Sequence, residues 1–459
     1  MEAECRGCRE RDARIAALEE RLAELEGRMR DLTKPPEPPR PAPALPKGPA
    51  KKATGNKPGG QPGHPPHAKK LVPPERVSET VPFIPRTCQH CQAALPQEAG
   101  PNDPPPVRHQ VAELPEVIAR ITEYQGHART CPCCGKLTRA AIPIDIRASC
   151  VGSRLAAVLS YLAGYQGVSK RGLAEIAEVV FDAPMALGTV ANLEQEMSQA
   201  LRPAHQEAQR QVQQAPVKNV DETGWKQAGH KRWLWVAAST TAVVFLIQPL
   251  RDLTALQRLL GKVVRGIVCS DRWCVYNHIP LRMRQICWAH LQRNWEKLLD
   301  RGGRAKEIAQ MCLSVHERVF ELWHLFRGGG CTRAELKLKM RPLRSELCNV
   351  LHWGARSGDA RTKRLCARLI GVSPAMWTFV DVEGVEPTNN HGERVQRRAV
   401  LWRRRSFGCH SANGCRFVER ILTVVQSLHL QRRSVLPFLY ETILAHRSGT
   451  QTPKLVIEG

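Results

Sequence analysis

Between Pro387 and Gly408 a single carboxylate, Glu393, stands in a segment whose other charges are arginines. Carboxylates bind hard divalent cations and arginines pair with phosphate, so this composition suits a metal-binding acid beside a nucleic-acid backbone. Pro387 disfavours helix ahead of it, and Asn389 and Asn390 offer N-cap oxygens, so a helix is expected to begin here. Arg394, Arg397, Arg398, Arg404 and Arg405 follow at spacings that share helix faces, and so much like charge repels itself unless a polyanion lies alongside. A second reading stays open. Asn390 and Glu393 stand at capping-box spacing, in which case Glu393 only ties off its own helix. Gly392, directly before the acid, weakens helix initiation and is expected to loosen it.

Two more acids follow from the strand pattern upstream. Val217 to Trp225 reads as a short buried strand delivering Asp221 at its end, with Arg232–Ser239 and Ala242–Gln248 as two further strands joined by a tight turn. Leu253, Leu256, Leu259 and Leu260, stopped by Gly261, make a helix. Gly266 to Asp271 is a fourth strand ending in a second acid, and Gln285 to His290 a fifth. Three strands, helix, strand, strand, helix is the order of a ribonuclease H-like sheet, in which the ends of the first and fourth strands lie side by side. Asp221 and Asp271 would then share Mg²⁺ or Mn²⁺. Two such ions about 3.5 to 4 Å apart assist in-line displacement at phosphorus. Taken singly, each aspartate reads as readily as a turn or cap residue.

The elements that must position these acids extend in both directions. From about 297 to 380 the pattern is helical, with Leu298, Leu299, Ile308, Met311, Cys312, Val315, Val319 and Trp323 apolar and Gly328 to Gly330 dividing it. This is an insertion between the fifth strand and the helix of Glu393, within a catalytic domain at 213–430. An apolar helix from Phe417 to Leu430 and a helical tail at 431–459, with Leu436, Leu439 and Ile443, close the chain. Upstream, residues 149–205 read as short helices: Leu155, Val158, Leu159 and Leu162 mark one, Leu173, Ile176, Ala177 and Val180 the next, and Gly188 opens a third. They fit a helix-turn-helix that reads DNA, or an ordinary three-helix unit.

Residues 80–148 hold Cys88, Cys91, Cys131 and Cys134, with a β-like stretch at Val117 to Tyr124 between the pairs. Two thiolate pairs on tight knuckles suit a closed, structural Zn²⁺ site, although the first knuckle lacks the glycine found at Gly135 in the second. Residues 34–79 are rich in Pro, Lys and Gly and read as a disordered linker, its basic part at Lys57 to Lys70 able to track phosphate. In residues 1–33, Ile15, Leu18, Leu22, Leu25, Met29 and Leu32 form a heptad seam, which points to a coiled coil and a homodimer or higher oligomer. Cys5 and Cys8 precede it at metal-ligand spacing.

Lys and Arg outnumber Asp and Glu by 68 to 43, a formal net charge of +25, which points to nucleic acid. No apolar run reaches transmembrane length, and no export signal is legible at the charged N-terminus. The 17 cysteines then imply a reducing compartment, where thiol pairs hold metal rather than form disulfides. The expectation is a cytoplasmic protein, nucleoid-associated when bound to DNA, with no membrane partner.

Several motifs together resemble the IS66 family of insertion-sequence transposases. They are the leucine repeat, Gly-Gly-Gln-Pro-Gly-His at Gly59 to His64, the paired cysteines, Asp-Glu-Thr at Asp221, Ser270-Asp271, Cys-Trp-Ala-His at Cys287 to His290, and Thr-Asn-Asn-x-x-Glu-Arg at Thr388 to Arg394 with Arg-Arg-Ser-Phe-Gly downstream. The resemblance implies a DDE-type enzyme with Asp221, Asp271 and Glu393 as its triad. Such an enzyme nicks at the terminal inverted repeats and joins the freed 3′-hydroxyl to target DNA, without a covalent enzyme intermediate. It also implies that His290 and Arg293 lie beside the fifth strand, where they position phosphate or water or pack the core, and that accessory proteins of the same element take part. Two other readings share these residues. One is a non-catalytic, sequence-specific DNA-binding protein derived from a transposase. The other is a ribonuclease H-like nuclease that cuts and never joins.

Overall fold

The computed structural model describes residues 14, 16–26, 71–147 and 149–457, and the chain divides into two compact units, 1–113 and 114–459. In the first unit residues 16–26 are helical and carry Leu18, Leu22 and Leu25 at 63%, 59% and 55% exposure, an apolar row that the monomer leaves in solvent. Ile15, Met29, Leu32, Cys5, Cys8 and the expected linker as far as residue 70 lie outside the described residues. Around the first cysteine pair, Thr87 bridges Ala94, and the turn is closed by Cys88 N–H donating to Ala93 O at 2.9 Å.

The second unit opens with β1 (Ala128–Thr130) and β2 (Leu137–Arg139), an antiparallel pair that brackets the second cysteine knuckle. The stretch Val117 to Tyr124, expected to be β-like, joins no sheet. Its Val117, Ile118, Ile121 and Tyr124 are exposed, and Ala119 N–H donates to Phe181 O at 2.8 Å. Next come α1 (Ser153–Tyr161), a π-helical turn (Leu162–Gln166), α2 (Lys170–Phe181), α3 (Leu187–Ala200) and α4 (Arg202–Gln214). These helices do not form a core of their own. Leu159, Leu173, Val190 and Met197 pack in one cluster with Val220, Trp235 and Val244 of the sheet and with Ile421 and Leu439 near the C-terminus. Val180, expected on the buried face of α2, is 51% exposed.

The sheet comprises β3 (Val217–Gln227), β4 (His230–Ala238), β5 (Val243–Gln248), β6 (Ile267–Ser270) and β7 (Arg284–Ile286), in the spatial order β5-β4-β3-β6-β7. β3 and β5 run antiparallel to β4, whereas β6 is parallel to both β3 and β7. The helix α5 (Leu253–Leu260), started by Asp252 and stopped at Gly261, makes the crossover from β5 to β6. The result is a mixed α/β architecture. No helix among the described residues is long and apolar enough to cross a membrane.

Two expectations about strands need correcting. Asp221 is not at the end of its strand, because β3 continues to Gln227 in the hairpin with β4; what ends near Asp221 is the parallel pairing with β6, at Asn219 opposite Cys269. The fifth strand stops at Ile286, since Cys287 turns the chain into α6 (Trp288–Leu299), so His290 is helical.

After α6 come α7 (Gly303–Arg327), α8 (Arg333–Ala355) and α9 (Ala360–Gly371), with the glycines at 328–330 between α7 and α8. They bury a separate core in which Trp288, Trp295, Trp323 and Trp377 meet Ile308, Val315 and Leu347. Met311, read as apolar-face, is 43% exposed. The chain then returns to the sheet as α10 (Asn390–Ser406), followed by α11 (Ala412–Leu430) and α12 (Val435–Ser448).

α11 closes an edge of the sheet. β5 has no neighbouring strand on one side, and the N–H groups of Val243, Phe245 and Ile247 would be left unpaired there. Ser427 Oγ, Thr423 Oγ1 and Glu419 Oε1 accept them at 3.0, 3.0 and 2.5 Å. The match is geometric. Alternate strand residues rise about 6.6 Å and a helix step of four about 6.0 Å, so one helix row can follow one strand edge.

Candidate active site

α10 is seated on β3 through its N-terminus. Asn389, fully buried, is the N-cap residue, yet its side chain caps nothing in the helix. Instead Asn389 Nδ2 donates to Val220 O and Asn389 Oδ1 accepts from Asn219 Nδ2, both at 2.9 Å. The helix is therefore bolted to the strand one residue before Asp221. Gly392, buried against Asn219, is what permits this approach: a Cβ there would lie 3.0 Å from Asn389 Oδ1 and 3.3 Å from Asn219 Cβ. Where helix propensity alone counts Gly392 as a weakness, the glycine lets the helix pack closely on the strand. The capping-box reading of Glu393 fails as well. With Asn389 as N-cap, Glu393 falls beyond the third helical position, and no side-chain cap forms.

The remainder of α10 sorts its residues into rows. Val395 and Ala399 are buried with Trp225 and Val418, and Trp402, one turn further, stacks on Trp225 with ring centroids 5.5 Å apart. Arg398 lies over the Tyr165 ring, donates to Tyr165 O at 2.8 Å and bonds Gln166 Oε1; Arg405 donates to Gln166 O at 3.1 Å. These two arginines, expected to face phosphate, join α10 to the π-helical turn, where the backbone leaves carbonyls free. Arg394, Arg397 and Arg404 project into solvent. The helix ends at Phe407, left-handed at φ 58° and 80% exposed, and at Gly408, φ 109°, where a Cβ would sit 2.3 Å from Lys226 O. Only glycine allows this second anchor to β3, which is the physical content of the Arg-Ser-Phe-Gly motif.

The three acids converge electrostatically. Asp221, mostly buried, has its carboxyl pushed up to about 7, first by burial, then by the charge of Glu222, and further by Asp271 and Glu393; a hydrogen bond from Glu222 N–H at 2.9 Å opposes the shift. Asp271 follows directly on β6 and accepts Trp273 N–H at 2.8 Å. Among the described residues neither aspartate has a cation within ion-pair distance. Glu393 meets Arg293 Nη2 at 3.4 Å and His290 Nδ1 at 3.6 Å, both on α6. Burial, then the neighbouring Arg293, lower the pKa of His290, opposed by the charges of Glu393 and Asp271. Asp221, Asp271 and Glu393 offer only oxygen donors, the type that Mg²⁺ or Mn²⁺ prefers, but among the described residues they are not a close-set ligand group, and the one such group is Cys287, His290 and Glu393.

Sequence reasoning missed the layer beneath. Glu222, on the opposite face of β3, accepts from Arg251 Nε at 2.7 Å, from Arg251 Nη2 and from the buried Tyr276 hydroxyl. Arg251 is itself flanked by the Trp233 and Trp273 rings, at 5.0 and 4.0 Å. The signal available was Glu222 itself, a second acid inside an otherwise buried strand. Cys287 was quoted only as part of a motif. Its Sγ accepts Asn389 N–H at 3.1 Å and, with His290 and Glu393, offers ligand atoms all within 4.8 Å of one another.

The two cysteine knuckles, each in its own unit, share one local geometry. In each, backbone N–H groups directed at the first thiol lower its pKa: Cys91 and His90 act on Cys88, and Cys134 and Cys133 on Cys131. Gly135 is left-handed at φ 67° four residues after Cys131, and Gln92 holds the same place after Cys88 at φ 60°. The absent glycine is thus replaced by a residue that accepts the strain.

A family model described as the transposase IS66 family matches residues 148–416 of the 459. No curated protein matches the chain.

Proposed function

The chain belongs to the IS66 family of transposases, and from that premise we propose that Asp221, Asp271 and Glu393 are the DDE triad of an enzyme that nicks DNA at insertion-sequence ends and joins the freed 3′-hydroxyl to target DNA. The observation that carries this reading is Asp221: a mostly buried carboxylate whose pKa is raised first by burial, then by adjacent Glu222 and further by Asp271 and Glu393, with no ion-pair partner among the described residues. The strand order β5-β4-β3-β6-β7, which places the strand of Asp221 beside the strand preceding Asp271, supports a ribonuclease H-like core.

Asp221, Asp271 and Glu393 would hold Mg²⁺ or Mn²⁺. When bound, such ions supply Lewis acidity to the attacking and leaving oxygens of phosphoryl transfer. The chain's own residues do the rest. Asn389 fixes the height of Glu393 against Asp221, Arg293 pairs with Glu393, and His290 stands beside Glu393 where it can position a phosphate or water. Arg394, Arg397 and Arg404, exposed along α10, bind the double-stranded DNA of terminal repeat and target. Cys88 with Cys91, and Cys131 with Cys134, are each a thiol pair of the kind that binds structural Zn²⁺. The leucine row of residues 16–26 pairs two copies, accessory proteins of the same element assist, and the protein works in the cytoplasm at the nucleoid.

The alternative, a non-catalytic DNA-binding protein derived from a transposase, needs the exposed arginines but gives no reason for an unbalanced carboxylate set. The deciding experiment is Mg²⁺- or Mn²⁺-dependent nicking and joining on DNA carrying the element's ends, with the partner proteins present, for wild type and Glu393→Gln. Loss of nicking in a folded, DNA-binding Glu393→Gln protein supports the triad, and nicking without joining supports the nuclease. Inactivity of wild type supports binding alone.

A further inference from the structure

The edge of the carboxylate set carries a second kind of donor. Cys287 is the N-cap of α6 and His290 lies one turn into it, so the two face the same way at the helix start, toward Glu393. The Cys287 thiol is buried and held in place by the N–H of fully buried Asn389, at 3.1 Å. His290 Nδ1 is buried, has no hydrogen-bond partner and lies 3.6 Å from Glu393 Oε1. Around a tetrahedral ion with bonds of about 2.0 to 2.3 Å, neighbouring ligand atoms lie about 3.3 to 3.8 Å apart. The His290–Glu393 pair already has that spacing, and the whole set lies within 4.8 Å, so modest side-chain rotation closes it.

We propose that Cys287, His290 and Glu393 form a metal site for a borderline-soft ion of the Zn²⁺ class, which draws Glu393 out of the oxygen-only set and so antagonises Mg²⁺-dependent chemistry. The antagonism rests on the catalytic reading of Glu393; the site itself does not. Sulfur and imidazole donors suit zinc and are poor for Mg²⁺, so the two overlapping sets discriminate between ions through one shared carboxylate. Three protein ligands leave one position open, for water or a phosphate oxygen. Binding releases the Cys287 thiol proton to solvent, as metal–thiolate formation requires. Arg293 must swing off Glu393. It is 53% exposed at 3.4 Å, and such pairs are weak.

The test uses the full chain with its knuckle cysteines intact, Co²⁺ and Zn²⁺ as probes, and Cys287→Ser, which keeps an acceptor for Asn389 N–H. Wild type is expected to bind about one more ion than Cys287→Ser, with a stronger thiolate-to-cobalt charge-transfer band. His290→Ala should lose the same ion, which keeps the count informative if Cys287→Ser folds poorly. Zn²⁺ added to Mg²⁺-supported nicking should inhibit wild type at a concentration at least about tenfold lower than for Cys287→Ser. Equal ion counts in wild type and both variants overturn the site. An extra ion without differential inhibition overturns the antagonism. A wild type that never nicks defeats the catalytic reading instead, and the ion count still decides the site.

Discussion

Asp221 and Glu222 are neighbours on one strand, point to opposite faces of the sheet, and have been treated oppositely by the fold. Burial raises the pKa of both. Glu222 is then saturated, by the Arg251 guanidinium between two tryptophans and by the Tyr276 hydroxyl. Asp221 instead has one backbone hydrogen bond, from Glu222 N–H, and no ion-pair partner among the described residues, against the negative charge of Glu222, Asp271 and Glu393. Glu222 is thus neutralised as a structural group, whereas Asp221 is the one that we propose is kept for a ligand. The same division runs along α10. Arg398 and Arg405 are engaged by carbonyls of the π-helical turn, whereas Arg394, Arg397 and Arg404 face solvent.

The sharpest way to break the comparison is to neutralise each acid in turn. Asp221→Asn is expected to lower nicking by at least roughly 10²–10³-fold, as for loss of one preorganised electrostatic group. Its Tm should hold or rise, because a repelled charge has gone. Glu222→Gln should do the reverse, destabilising by about 2 kcal/mol as half-buried Arg251 loses its charged partner. Denaturation and nicking measured on both variants decide it, and similar profiles for the two would erase the distinction.

Asn389→Ala leaves Val220 O and Asn219 Nδ2 without their partner, at a cost of about 2 kcal/mol. It should also lower nicking, because Glu393 loses its fixed height over β3. Restored nicking on adding more Mg²⁺ would show positioning, and unchanged nicking would remove Asn389 from the argument.

The pH dependence follows from Asp221. Its folded pKa of about 7 lies above the ordinary 3.8, so the folded chain holds an extra proton between those values. Without divalent ion, stability therefore falls as pH rises through that window, and this part of the fall should be absent in Asp221→Asn. Nicking should rise with pH through about 7, and the limb should move to lower pH at higher Mg²⁺. A limb insensitive to Mg²⁺ would assign it to another group.

The smallest effects are expected on the arginines. Arg394→Gln and Arg397→Gln should each reduce the salt slope of DNA binding by about one, with little change in Tm. Arg398→Gln should leave the slope alone and lower stability, since its guanidinium is already bonded within the chain.

The sequence made several elements legible because their signals are local. The leucines of α5 with Gly261 at its end, the glycines between α7 and α8, and the strand pattern from Val217 to Gln248 depend on spacing alone. The misses have one cause, since they turn on partners far away in the chain. Val180 and Met311 look core-facing at helical spacing, but whether a second element covers them is a tertiary matter. Cys287 to His290 reads as apolar strand, yet Ser270 opposite Ile286 ends the ladder and the chain turns into helix. Gly392 looked like a weakness because helix propensity counts the glycine's entropy and not the strand that it lets approach.

What the sequence by itself determined is the chemistry on offer: three acids in separate segments, arginines around one of them, paired cysteines on knuckles, and a mixed succession of strands and helices. These follow from residue type and short-range spacing, which a linear chain carries in full. Only the tertiary structure decided which charges are balanced and which are left open. Asn389 turned from a cap into a bolt, Glu222 became a structural ion pair, Arg398 and Arg405 became ties, and Cys287 and His290 came to share Glu393. Burial and long-range proximity set the electrostatic fate of a side chain, and both exist only after the sheet and its helices have packed.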